Sequence, residues 1–174
     1  MDKVSEQRLG KVHPVLAAKI RQLSDTLAAE GIIIRVVQGL RTYQEQAALY
    51  AKGRTAPGPK VTNAPAGSSY HNYGLAVDVC VGIPGSSPWQ PDWKAVDAKG
   101  LRPTWARTIT VAKKLGLTSG ADFDSIKDYP HLQMTGNMPI GAPTPKARQM
   151  LASGSDLKSI WELAGLPLAK AQSA

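Results

Sequence analysis

A single cysteine, Cys80, stands among the 174 residues, which excludes an internal disulfide framework and any multi-cysteine zinc site. Synthesis in a reducing compartment is the corresponding expectation. Aromatic residues make up only 6% of the chain, and they are not interleaved with basic residues as on a single-strand nucleic-acid face. Zinc-finger, helix-turn-helix and RNP-like signatures are also missing, so no nucleic-acid partner is expected. The longest apolar run is a few residues, against about 20 for a membrane span. The first residues, MDKVSEQRLGKVHP, hold no apolar stretch, so the expectation is cytoplasmic synthesis without a signal peptide. There is no internal repeat and no low-complexity segment.

What the chain does have is ordinary globular stock: 43% hydrophobic and 20% charged residues, enough to exclude wholesale disorder. Its length suits one compact domain, large enough to bury a core without oligomerisation, and a monomer is expected. Lys and Arg total 21 against 13 Asp and Glu, giving +8 and a pI near 9.7. The basic residues are scattered, with no run longer than two, and the charge favours contact with something anionic, whether a bacterial envelope, a membrane surface or, as a weak runner-up, nucleic acid; composition alone does not choose among them.

Val15, Leu16, Ile20, Leu23 and Leu27 recur at helical spacing behind Pro14, which predicts a helix from Pro14 to Ala29. A buried strand is expected at Ile32 to Val37, and a helix capped by Thr42 running to about Lys52. Residues 53–69 read as a long loop, followed by a strand from Leu75 to Val81 and an irregular stretch, GIPGSSPWQPDW. A helix at about Pro103 to Leu115, a short strand around His131 to Met134, and helices near 146–152 and 156–164 complete the pattern, with the last ten residues frayed. The elements lack a regular βαβ rhythm, so the expected class is α+β.

The stretch SYHNYGLAVDVCV carries the most chemistry. In a strand Asp78 shares its face with Ala76 and Cys80, two small residues that leave room for a partner. A buried carboxylate costs several kcal/mol unless it is paired or bound to a cation. His71 lies seven residues earlier, with Gly74 allowing the chain to bend back, and His131 sits in DYPHLQM. His71, Asp78 and His131 would make a three-ligand catalytic zinc set with a fourth position for water, and Asp128 is the candidate general base, with Asp122 and Asp124 as less favoured substitutes. The bland reading stays open beside it: Asp78 paired with an arginine, His131 a hydrogen-bonded core residue, Cys80 a small buried hydrophobe and His13 a surface or helix-entry residue.

Ser69, His71, Gly74, Ala76 and Asp78 resemble the S-x-H-x-x-G-x-A-x-D zinc motif of the D-alanyl-D-alanine peptidase group, which belongs with the lysostaphin-type and hedgehog-type zinc domains. GLRTYQEQAALYAKGR and DYPHLQM are similar to segments of its L-alanyl-D-glutamate endopeptidase branch, which includes many phage endolysins; the resemblance spans about Val12 to Met134. It implies a small antiparallel sheet flanked by helices, with residues 1–144 as the zinc peptidase domain and 145–174 as a helical tail packed on it. Zn2+ would be held by His71, Asp78 and His131, and Asp128 would act as base. Arg41 would hold a substrate carboxylate or the oxyanion, and Ser69 would bind substrate or orient a ligand, while Gln46 would brace the loop. The implied activity is hydrolysis of the L-alanyl-D-glutamate bond of peptidoglycan by an endolysin released through a membrane pore. The alternatives are a D-alanyl-D-alanine carboxypeptidase or dipeptidase, or a non-catalytic wall-binding module. One departure stands out: the family's G-G-x-W segment here reads Gly120-Ala121-Asp122-Phe123, which replaces an indole donor with a plain aromatic ring.

Overall fold

The computed structural model describes residues 1–124 and 126–168. In chain order the elements are α1 (Lys3–Leu9), α2 (Pro14–Ala28), β1 (Ile34–Gln38), α3 (Tyr43–Ala51), β2 (Ala76–Gly82), β3 (Pro91–Asp92), β4 (Val96–Asp97), β5 (Gly100–Leu101), α4 (Pro103–Lys114), β6 (Thr118–Ser119), β7 (His131–Gln133), α5 (Pro145–Ala152) and α6 (Leu157–Leu163). Two 3-10 turns, Tyr70–Tyr73 and Gly120–Asp122, complete them. The chain divides into two compact units, Met1–Leu40 with Leu75–Met134, and Arg41–Gly74 with the chain from Thr135 onward.

In the first unit the strands run β1-β2-β7-β6, all antiparallel, with β3 also paired to β2. The expected α+β class with a small antiparallel sheet therefore holds. Along β2, Val77, Val79 and Val81 are fully buried on one face. On α2 the spacing that predicts a helix is the spacing that packs: Leu16, Ile20, Leu23 and Leu27 all lie out of solvent, and the helix rests on α4. Each such side chain contributes about 1.5–3 kcal/mol by leaving water. Trp105 of α4 is also fully buried, with its indole N–H donating to the Asp92 carbonyl at 3.1 Å.

His13 is the helix-entry residue expected of it, its ring nitrogen accepting from the Val15 N–H at 3.1 Å, but it is fully buried rather than on the surface. Two features depart from the sequence pattern. Helix α1 carries too few apolar residues to show a period; instead Asp2 caps it, and buried Ser5 accepts from the Val36 N–H at 2.9 Å, tying it to β1. The stretch read as irregular contains β3, and the β4–β5 hairpin follows it, with strands of two residues each, too short for alternation to register.

In the second unit, α3 opens with a capping box: Thr42 Oγ1 accepts from Glu45 N at 3.1 Å, and Glu45 Oε2 accepts from Thr42 N at 2.7 Å. The loop after it is long, as expected. α5 and α6 begin at side-chain caps, Thr144 and Asp156, and α6 lies against the Tyr70–Tyr73 turn. Trp161 anchors that contact by donating to the Tyr73 carbonyl at 2.7 Å. Of the ten final residues expected to fray, 169–174 lie outside the described residues.

Candidate metal centre

Strand pairing sets the first half of the site. β2 and β7 are in register with Asp78 opposite His131, so the two side chains share a face of the sheet. His131 Nδ1 lies 3.3 Å from Asp78 Oδ1, and its Nε2 lies 2.8 Å from Gln133 Oε1. An amide oxygen only accepts, so Nε2 carries a proton and Nδ1 is the atom turned to Asp78. Burial alone would lower the affinity of His131 for a second proton. The hydrogen bond and charge of Asp78, with the Asp128 charge and the Gln133 bond, outweigh it and hold the ring above the ordinary histidine value. This corner thus favours positive charge, which a metal ion supplies as well as a proton.

His71 comes from the Tyr70–Tyr73 turn, where it is 2% exposed. Ser69 caps that turn, its hydroxyl accepting from the His71 N–H at 3.4 Å, and Gly74 ends it at φ 62°. The His71 carbonyl accepts from the Arg41 N–H at 3.0 Å. One ligand atom from each of His71, Asp78 and His131 lies within 4.8 Å of the other two. Two imidazoles and a carboxylate are a donor set suited to zinc with an open coordination position.

Asp128 is exposed and begins the turn that delivers His131: its N–H donates to the Gly120 carbonyl at 2.9 Å, and its carbonyl accepts from the His131 N–H at 3.1 Å. Asp122 instead pairs with Lys113 at 2.8 Å on the surface, and Asp124 is exposed. Phe123 places its ring centroid 5.5 Å from that of His131, so the aromatic wall survives the loss of the indole. Cys80 is fully buried, and burial pushes its thiol up to about 12, so it fills space as a small hydrophobe.

Arg41 donates from Nη1 to Gln46 Oε1 at 2.7 Å, and Gln46 Nε2 donates to the Ala64 carbonyl at 2.7 Å. Gln46 therefore braces the loop. Two contributors escape sequence reasoning. Gln133 closes the DYPHLQM string, but nothing in the string says that it faces the far nitrogen of His131. Asn72, buried, donates to the carbonyls of Arg41 (2.9 Å) and Thr42 (3.1 Å) and accepts from the Gly67 N–H at 3.1 Å. Its only signal is an amide between His71 and the strand.

A family model described as D-alanyl-D-alanine carboxypeptidase matches residues 62–134, and a second with the same description matches residues 10–95. The peptidoglycan L-alanyl-D-glutamate endopeptidase CwlK of Bacillus subtilis (strain 168) is 38% identical over 127 residues, 72% of this chain and 75% of that protein. Two solved structures share the fold. The L-Ala D-Glu endopeptidase ChiX of Serratia marcescens aligns with a TM-score of 0.52 at 24% identity, covering 78% of this chain and 89% of its own. The LD-carboxypeptidase LdcB aligns with a TM-score of 0.50 at 17% identity, covering 87% and 68% respectively.

Proposed function

The chain belongs to the D-alanyl-D-alanine carboxypeptidase-like family of metallopeptidases, and from that premise we propose that it is a zinc-dependent endopeptidase cleaving the L-alanyl-D-glutamate bond of peptidoglycan stem peptides. The observation that carries the metal is the His71, Asp78, His131 donor set. The choice of bond is supported by the 38% identity to an enzyme named for that bond. A role as a phage endolysin, reaching the wall from the cytoplasm through a membrane pore, extends the same reading.

His71, Asp78 and His131 would hold the zinc, Gln133 fixing His131 with its Nε2 protonated. When bound, the metal would lower the pKa of water and polarise the scissile carbonyl. Asp128 takes a proton from the attacking water and delivers it to the departing D-glutamate nitrogen, so that a C–O bond forms as the C–N bond breaks. The Arg41 guanidinium, held by Gln46, holds a stem carboxylate or meets the developing oxyanion. Ser69 orients His71 by capping its turn.

The test pairs metal analysis of untagged protein with hydrolysis of purified peptidoglycan. One zinc per chain, chelator-sensitive release of stem peptides and a new L-alanine carboxyl terminus are expected. Asp128→Ala should keep the zinc and lose at least about 10²-fold in rate. Free D-alanine as product would replace the proposal with the carboxypeptidase reading, and zinc without hydrolysis would replace it with a wall-binding module. Expressing cells should lyse only once their inner membrane is permeabilised; lysis without that step overturns the pore-release role.

A further inference from the structure

Helix α3 is unusual in what it leaves uncovered. Of its nine residues only Gln46 is buried, and Tyr43 is 52% exposed. Tyr43, Ala47 and Tyr50 follow one another at helical spacing on α3 and, with Arg54 in the turn after it and Pro65 and Ala66, line a surface pocket of about 380 Å³. The volume falls in the range of small-ligand sites, about 300–1,000 Å³. Its walls combine two tyrosine rings, a floor of small apolar side chains and one cation. The guanidinium of Arg54 lies 3.9 Å from the Tyr50 ring centroid and donates to the carbonyls of Tyr50 at 2.7 Å and Thr62 at 3.0 Å, and to Asn63 Oδ1 at 3.3 Å. Every one of these partners is a neutral oxygen, so the positive charge is fixed in place without being neutralised by them.

The pocket wall is also linked, through Gly67, to the turn that presents His71. The ring of Tyr43 lies against Gly67, where a Cβ would sit a tight 3.1 Å from its Cε2 and where φ of 78° favours glycine. Gly67 in turn donates to Asn72 and accepts from the Tyr73 hydroxyl at 2.7 Å. Asn72 and Tyr73, the two residues that follow His71 in that turn, therefore hold the loop next to the pocket wall.

We infer that this pocket is a saccharide subsite that seats the amino sugar bearing the stem peptide. The inference rests on the proposed L-alanyl-D-glutamate specificity. In peptidoglycan the stem begins at L-alanine, which is joined through a lactyl group to the glycan strand. An enzyme cutting after that alanine has a sugar ring one residue from the reacting carbonyl. The C–H face of a pyranose stacks on tyrosine, an N-acetyl methyl suits the alanine and proline floor, and hydroxyl or amide oxygens accept from a guanidinium. A lipid chain or a large apolar side chain would call for leucine or phenylalanine walls, and the pocket has none.

The experiment compares kcat/KM on a disaccharide-bearing stem peptide and on the same peptide without sugar. The wild-type chain should favour the sugar-bearing substrate by about tenfold, the scale of one or two aromatic contacts. Ala47→Trp, which fills the pocket from an exposed helix position, and Tyr50→Ala should both bring that ratio close to one. Equal rates in the wild-type chain, or a preference that survives both variants, overturn the subsite. A nuclear magnetic resonance titration of wild-type protein with the peptide-free disaccharide stands independently of variant folding: shifts at the Ala47 and Ala66 amides are expected, and their absence overturns the subsite. Failure to cleave either peptide would sink the proposed function instead, and the titration would still decide the pocket.

Discussion

At Gly120 the space a side chain would take is already filled. A Cβ there would lie 2.4 Å from the Asp128 carbonyl oxygen, 2.9 Å from His131 Cβ and 3.0 Å from Asp128 Cβ. The nearest of these is backbone and cannot rotate away, so Gly120→Ala must displace the turn that carries both the proposed base and a proposed ligand. Overpacking of this kind costs about 1–3 kcal/mol, within what a domain of about 5–15 kcal/mol tolerates, so the variant should fold. A shift of about 1 Å at a reacting group costs on the order of 10²-fold in rate. The expected outcome is a small fall in Tm with a loss of about 10²-fold in kcat/KM; wild-type turnover would show that the turn is positioned by something else. Sequence reasoning could name Asp128 and His131 as chemistry but could not see this dependence, because the clash is with residues eight and eleven positions away that meet Gly120 only after folding.

Among the elements, legibility follows the length of the periodic signal. Helix α2 and strand β2 were readable because their buried faces repeat over many residues, whereas α1 and the β4–β5 hairpin rest on a cap, a buried serine and short pairings that leave no period. Alternation in β2 could also place Asp78 on a face with Ala76 and Cys80. It could not say which strand lies opposite, and the register of Asp78 with His131 joins residues 53 apart. The scarcity of histidine and the family resemblance both point to one site holding the two residues, but neither gives the strand pairing. The Tyr70–Tyr73 turn depends likewise on a distant element, since Trp161 of α6 is 7% exposed and donates to the Tyr73 carbonyl. Truncating a buried Trp to Ala costs about 3–5 kcal/mol, which for a chain of this size lowers Tm by roughly 10 °C. Trp161→Ala should therefore lower Tm by that order and weaken zinc binding, because the turn holding His71 loses its support. Trp161→Phe, which keeps most of the packing and loses the N–H donor, should fall between. Unchanged zinc affinity in the folded Ala variant would separate α6 from the metal site.

For the molecule as a whole, two kinds of surface could hold it to a wall before any bond is cut. One is charge: 21 basic residues against 13 acidic, spread along the chain for a net +8. The other is apolar exposure at single large residues, of which Trp93 at 59% and Ile140 at 55% are the most open. Individually, an exposed ion pair contributes only about 0–1 kcal/mol, but many weak contacts to a polyanion add, and all are screened together. The screening length falls from about 10 Å at 0.1 M salt to about 3 Å at 1 M, whereas burial of isolated apolar side chains is not weakened by sodium chloride. The two surfaces therefore predict opposite salt responses for the Asp128→Ala variant, which should bind without digesting its support if Asp128 is the catalytic base. If charge holds the molecule, the affinity of this variant for isolated sacculi should fall by at least about tenfold, or ~1.4 kcal/mol, as sodium chloride rises from about 0.1 M to about 1 M. Co-sedimentation of the variant with sacculi measures it directly. Retention that persists at the higher salt would transfer wall contact to the apolar residues and the saccharide pocket, and leave the +8 balance as a feature of solubility.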